Sequence, residues 1–146
     1  RRFEIKYKTE NNITIVDDYA HHPSEVDATI NTALAGWNLN NLIVVFQPHL
    51  YSRTNEFQKE FSEVLSKADI VILTDIYPAR EEKIEGVNSN LILDKIAGSK
   101  SFLVKKDEVA KKISNICSND DMIIVMGAGD IRNITDDIYN EIIDKI

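Results

Sequence analysis

All three histidines of this chain, His21, His22 and His49, and all three prolines, Pro23, Pro48 and Pro78, lie just beyond short apolar runs. Asp17-Asp18-Tyr19-Ala20-His21-His22-Pro23 follows one run, and Gln47-Pro48-His49-Leu50-Tyr51-Ser52-Arg53-Thr54 follows a second. Asp75-Ile76-Tyr77-Pro78-Ala79-Arg80-Glu81 and Gly127-Ala128-Gly129-Asp130 follow two more. The five arginines (Arg1, Arg2, Arg53, Arg80 and Arg132) sit at the chain start or just past such runs, while the lysines fall mostly on helical patterns and in the first hairpin. A guanidinium offers a planar fork that fits carboxylate and phosphate, and an imidazole moves protons near neutral pH. Gathered on one edge of an acidic protein, these groups point to a pocket for an anionic small molecule.

Each motif also has a plainer reading. Asp17 or Asp18 can cap the helix that Pro23 opens. Gly127-Ala128-Gly129 is either a tight turn or a set of backbone N–H groups facing an anion at a helix start. His21, His22 and His49 with Glu25 contain metal-ligand chemistry, but adjacent side chains diverge and the spaced histidine pair of a helical zinc motif is missing, so no metal ligand is assigned. The lysine pairs at 105–106 and 111–112 read as a solvated helix region, and Trp37 as a cover for the end of the first helix. Cys117 falls on an apolar stripe and reads as core. No phosphate loop of the G-x-x-x-x-G-K-[ST] type and no G-x-S-x-G elbow occurs in the chain.

The elements that must hold these residues are legible from hydrophobic period. Phe3, Ile5 and Tyr7 alternate with polar residues, and the polar stretch 9–12 leads into the apolar run 13–16. This predicts an antiparallel hairpin. The runs Leu42–Phe46, Ile70–Leu73, 102–104 and Met122–Met126 are continuous, as in strands covered on both faces. Between them, Val26/Ile30/Ala33/Leu34, Phe57/Phe61/Val64/Leu65 and Val109/Ile113/Ile116/Cys117 repeat at helical spacing. Ile134, Ile138 and Ile142 predict a last helix, and 91–96 a weaker one. The expected fold is α/β, a Rossmann-like three-layer domain. Its sheet has about six mainly parallel strands, with the N-terminal hairpin as an antiparallel edge. In such sheets ligands bind beyond the carboxyl ends of the strands, where the unusual residues sit.

Composition bounds the rest. A length of 146 residues suits one domain, and one cysteine excludes a disulfide framework and suits a reducing compartment. A formal charge of -7 argues against nucleic acid or a membrane surface as a partner. No apolar run spans a bilayer, and no signal peptide is visible. The absence of an initiator Met suggests a piece of a longer protein. One wall of a site is present, without a self-sufficient catalytic apparatus.

The segment from Val16 to Glu25, together with Phe46-Gln47-Pro48-His49 and Arg53-Thr54, strongly resembles the Mur ligase family in its L-alanine-adding branch. Tyr77-Pro78-Ala79-Arg80-Glu81 with Ile84 and Gly86, and Gly127-Ala128-Gly129-Asp130-Ile131, match in the same order. Arg1-Arg2-Phe3-Glu4 resembles that family's junction between central and C-terminal domains. The resemblance covers residues 1–146 as a single C-terminal, lid-like domain. It implies a cytoplasmic, ATP- and Mg²⁺-dependent ligase of peptidoglycan synthesis that joins L-alanine to UDP-N-acetylmuramate through an acyl phosphate. The phosphate loop and Mg²⁺ would lie on a central domain about 200 residues upstream. Other domains of the same polypeptide would be partners, and the isolated chain would be inactive.

Carried over position by position, the resemblance assigns Arg2 and Asp18 to the nucleotide, with Asp18 on the ribose hydroxyls. Tyr19, His21, His49 and Arg53 line the amino-acid and acyl end, with His21 and His49 as catalytic candidates and Arg53 on the alanine carboxylate. Leu50 departs from members that carry a second Arg there. Tyr77, Arg80 and Glu81 receive no role. Three competing readings are the recycling ligase that attaches a tripeptide to the same sugar nucleotide, a non-catalytic ligand-binding module, and a metal-dependent hydrolase built on the three histidines.

Overall fold

The computed structural model describes residues 2–145; Arg1, part of the junction resemblance, lies outside them. Strands β1 (Glu4–Lys8) and β2 (Thr14–Asp18) form the expected hairpin. The chain then runs α1 (Pro23–Gly36), β3 (Leu42–Phe46), α2 (Tyr51–Leu65), β4 (Ile70–Leu73), α3 (Asn90–Leu93), β5 (Lys100–Leu103), α4 (Val109–Ile116), β6 (Met122–Met126) and α5 (Ile134–Ile143). The six strands lie in the order β1-β2-β6-β3-β4-β5, parallel throughout except for the β1–β2 pair. The α/β expectation holds.

Period-2 geometry divides the apolar strand residues between two cores. Leu42, Val44 and Phe46 with Met122, Ile124 and Met126 face α1 and α2, joined there by Val26, Ile30 and Phe61. Ile43 and Val45 with Ile123 and Val125 face the other way, against Val109, Ile113, Ile134 and Ile138 of α4 and α5. Every residue of β3 and β6 is fully buried. Because both faces are covered, these strands show no polar alternation in the sequence. Each large side chain so buried contributes about 1.5–3 kcal/mol of transfer free energy.

Two boundaries differ from expectation. Helix α2 starts at Tyr51, so Tyr51, Ser52, Arg53 and Thr54 form its first turn, ahead of the stripe that begins at Phe57. Its N-cap position is Leu50, at φ 73°, and the backbone departs from helical geometry at Phe57. Asp18 does not cap α1, whose N-cap position is His22. The reason is that the Asp18 carboxylate is taken by the N–H groups of Phe3 and Ala20 and by the Thr29 hydroxyl.

Trp37 follows α1 and stacks on Phe3, with ring centroids 5.1 Å apart. Cys117 packs half-buried at the end of α4, and burial pushes its thiol pKa up. The lysine pairs are not simply solvated. Lys106 Nζ lies 2.6 Å from Asp130 Oδ2, and Lys112 Nζ sits 3.9 Å from the Phe102 ring centre. Among the described residues no helix is long and apolar enough to cross a membrane.

Candidate functional site

At the amino ends of the strands, carboxylates accept from the backbone. Asp121 accepts from the N–H groups of Asn41 and Ser118, and Asp69 from that of Leu42. The carboxyl ends differ. Among the described residues, the buried side-chain polar atoms without a hydrogen-bond partner are Gln47 Oε1, His49 Nδ1 and Arg53 Nη1. All three belong to the exit of β3. A buried polar atom left unpaired costs about 1–3 kcal/mol, and such groups collect where a ligand is to supply the partner.

Local backbone geometry explains their convergence. After β3, Tyr77 N–H donates to Pro48 O at 2.8 Å and Leu50 N–H donates to Tyr77 O at 2.9 Å. These bonds extend the parallel pairing beyond β4 as a bridge between His49 and Tyr77. The left-handed backbone at Leu50 (φ 73°) then turns the chain directly into α2, at a cost of about 1–3 kcal/mol for a non-glycine residue. Arg53 is thereby fixed on the first turn of the helix, close to His49. Burial, the Arg53 guanidinium and His21 all push the His49 pKa down, against a smaller opposing pull from Glu81.

Aromatic rings connect this exit to the exit of β2. Tyr19 meets His21 edge-on at 5.1 Å, His21 lies 6.0 Å from His49, and His49 lies 5.4 Å from Tyr77. His21 and His22 do not diverge, since their rings are 5.2 Å apart. Even so, among the described residues no three His, Cys, Asp or Glu side chains converge on a metal position. His21 Nδ1 is 2.9 Å from Tyr19 O and 3.4 Å from Glu25 Oε1.

Glu25 fastens this corner. Its Oε1 accepts the backbone N–H groups of His21 and His22 at 3.1 and 3.0 Å. Burial raises its pKa, but those two N–H groups and the neighbouring imidazoles outweigh burial and leave it lowered. Glu25 Oε2 also lies 3.7 Å from Arg2 Nη1. Arg2 and Asp18 border a separate hollow of about 200 Å³ with Thr29 and Thr32. The assigned residues therefore form two groups: Tyr19, His21, His49 and Arg53 in one, Arg2 and Asp18 in the other, joined through Glu25. A larger hollow of about 850 Å³ lies between β5, α4 and α5, and none of these residues borders it.

The glycines of the β6 exit serve close approach. A Cβ on Gly127 would lie 2.8 Å from Ile131 Cγ2, and one on Gly129 would lie 2.6 Å from Tyr77 Cγ and 2.7 Å from Gln47 Oε1. Gln47 Nε2 donates to Asp130 Oδ1 at 2.8 Å. Burial raises the Asp130 pKa, but the hydrogen bonds from Gln47 and Lys106 outweigh it and hold the carboxyl low. The sequence alone weighs Glu25 only as a metal ligand and gives no role to Gln47, Tyr77 or Asp130. Of these, the three-residue spacing from His22 to Glu25 signals a helix-start contact. The others meet only through the fold.

The sequence is 42% identical to the UDP-N-acetylmuramate--L-alanine ligase of Pelodictyon phaeoclathratiforme, over 96% of this chain and 30% of that protein. It is 44% identical to the protein of the same name from Agathobacter rectalis, over 97% of this chain and 31% of that protein. The solved UDP-N-acetylmuramate-alanine ligase of Thermotoga maritima superposes with a TM-score of 0.81 at 27% identity, covering 100% of this chain and 30% of its own. The chain thus spans about 30% of the length of its relatives. The sequence model of the Mur ligase glutamate ligase domain matches residues 1–129, and the chain belongs to that family.

Proposed function

We propose that this chain is the amino-acid-binding C-terminal domain of a longer, cytoplasmic ATP-dependent ligase that joins L-alanine to UDP-N-acetylmuramate. The observation that carries this reading is the unpartnered, buried pair of His49 Nδ1 and Arg53 Nη1 at one strand exit. It occurs in a chain more than 40% identical to ligases of that name. A guanidinium N–H with no protein acceptor suits the alanine carboxylate. His49, which burial and Arg53 keep neutral, can take a proton from the alanine ammonium before the amine attacks the acyl phosphate. His21 and Tyr19 continue the wall toward the acyl end. Arg2 and Asp18, carried over as nucleotide contacts, border the hollow of about 200 Å³, where Asp18 also ties β1 to α1.

ATP and UDP-N-acetylmuramate bind mainly to domains outside this chain. Mg²⁺ neutralises the transferring phosphates in such reactions, but the described residues form no cluster to hold it. No step of the reaction is therefore assigned to metal ligands of this chain. Closure of this domain over the others would exclude water from the acyl phosphate, and the isolated domain would not turn over.

The test is ADP release by the full-length protein given ATP, Mg²⁺ and UDP-N-acetylmuramate. L-Alanine is the expected second substrate. Turnover with the tripeptide alone would move the chain to the recycling ligase. No turnover with either would leave a binding module.

A further inference from the structure

We infer that Glu81, on the loop after β4, is the positioning residue that caps α2 from outside the helix and thereby aims Arg53 and His49. Helix α2 begins without a side-chain cap of its own, because its N-cap residue is Leu50. Four N–H groups at a helix start need partners, and a carboxylate there also complements the positive end of the dipole. Glu81 fills this role from 29 residues away. Its Oε1 accepts the Ser52 N–H at 3.1 Å, and its Oε2 accepts the Ser52 hydroxyl. Arg53 is the next residue along that turn.

The capping is matched at the neighbouring helix. Glu25 holds the N–H groups of His21 and His22 at the start of α1. Each helix that delivers site residues is thus tied at its first turn by a glutamate carboxylate. For α1 that glutamate is local, whereas for α2 it comes from a loop that also carries Tyr77, the ring against His49. The inference rests on the proposed function only for the name of the amino acid that Arg53 meets.

The electrostatics are consistent. The Ser52 hydroxyl and N–H lower the Glu81 pKa most, with smaller help from Tyr51 and Arg53. Among the described residues, the His21 and Tyr77 rings lie against His49, while Arg53 from α2 and Glu81 from the loop after β4 act on it through charge. Of the charged ones, Arg53 and His21 oppose the imidazolium and Glu81 favours it.

The experiment uses the full-length protein with Glu81→Ala, Glu81→Gln and Ser52→Ala, measuring KM for L-alanine and ATP and the NMR titration of His49. Glu81→Ala should raise the L-alanine KM about fivefold, the effect of losing one helix cap, with the ATP KM changed less than twofold. Ser52→Ala should give a smaller rise. Glu81→Gln keeps an acceptor for Ser52 and should recover most of the L-alanine KM, while the His49 midpoint moves to lower pH because a favourable charge is gone. An unchanged L-alanine KM in Glu81→Ala, an equal rise for both substrates, or an unmoved His49 midpoint in Glu81→Gln would overturn the inference. If the unaltered protein fails to use L-alanine, the proposed function fails, and the Ser52 and Arg53 backbone amide shifts in Glu81→Ala still decide the role of Glu81: unmoved shifts would overturn it.

Discussion

Gln47 and Asp130 meet across the exits of β3 and β6, 83 residues apart in sequence, with Gln47 Nε2 donating to Asp130 Oδ1 at 2.8 Å. This bond fixes which end of the amide faces inward. Its Oε1 is left buried and unpartnered against Gly129, while Lys106 holds the second carboxylate oxygen. Three exit loops are thereby tied together at the rim of the site.

Asp130→Ala should cost about 1 kcal/mol of stability, one charge-assisted hydrogen bond reduced by solvent screening of the exposed Lys106 contact. Asp130→Asn, which keeps an acceptor for Gln47, should lose less. The pH sign follows from the lowered pKa of Asp130. Its contribution is complete above the ordinary aspartate value near ~3.9 and is lost as pH falls through the lower folded value. Urea unfolding of wild type and Asp130→Ala, compared at pH 7 and under acid, checks this: the difference between them should shrink in acid.

Gly129→Ala should destabilise by about 1–3 kcal/mol, the usual cost of overpacking. The new methyl would lie 2.6 Å from Tyr77 Cγ, near the root of the ring, so the ring cannot simply rotate clear. Gly36→Ala is the control. Nothing lies within 4 Å of a Cβ there, and helical propensity favours Ala by up to ~1 kcal/mol. Thermal unfolding should move in opposite directions for the two variants. A neutral Gly129→Ala would show that the approach of Tyr77 is not enforced.

The fold was legible because its determinants are local. The continuous runs at β3, β4 and β6, the i, i+4, i+7 stripes of α1 and α4 and the i, i+4, i+8 stripe of α5 need no partner to be recognised. The exit residues Tyr19, His21, His49 and Arg53 were legible as types placed where an α/β sheet binds ligands. What holds them was not. Glu81 reaches Ser52 from 29 residues away and Asp130 reaches Gln47 from 83, and nothing at either position in the sequence marks its partner. The cap open to Asp17 or Asp18 was undecided for the same reason: the Asp18 carboxylate is taken by Phe3 and Thr29 as well as by the local Ala20 N–H.

His49 should titrate below the ordinary histidine value of ~6.5. Burial is the largest cause and Arg53 the next, so Arg53→Ala should raise the midpoint. A histidine whose folded pKa is depressed favours the folded state fully above its unfolded pKa, and that stability is lost as pH falls through the folded value. The folded protein should therefore weaken as pH drops below about 6.5, beyond what carboxylate protonation explains. His49→Gln should flatten the part of the stability profile between the unfolded and folded values. NMR titration of the imidazole in wild type and Arg53→Ala gives the direct measure, and an unshifted midpoint would remove Arg53 as a cause.

Arg53→Ala in the full-length protein should impair use of L-alanine far more than use of ATP. Its Nη1 is buried and has no protein acceptor, so the alanine carboxylate is the group proposed to complete it. A hydrogen bond to a charged group is worth about 1.5–3 kcal/mol, which converts to a loss of roughly 10- to 150-fold in kcat/KM for L-alanine. The ATP KM should stay within about twofold, since the proposed function places the phosphates on other domains. Arg53→Lys should restore only part of the loss, because a point charge cannot reproduce the fork at a buried site. Initial-rate kinetics with each substrate varied in turn separates these outcomes. Equal losses for both substrates would place Arg53 in domain closure rather than on the amino acid.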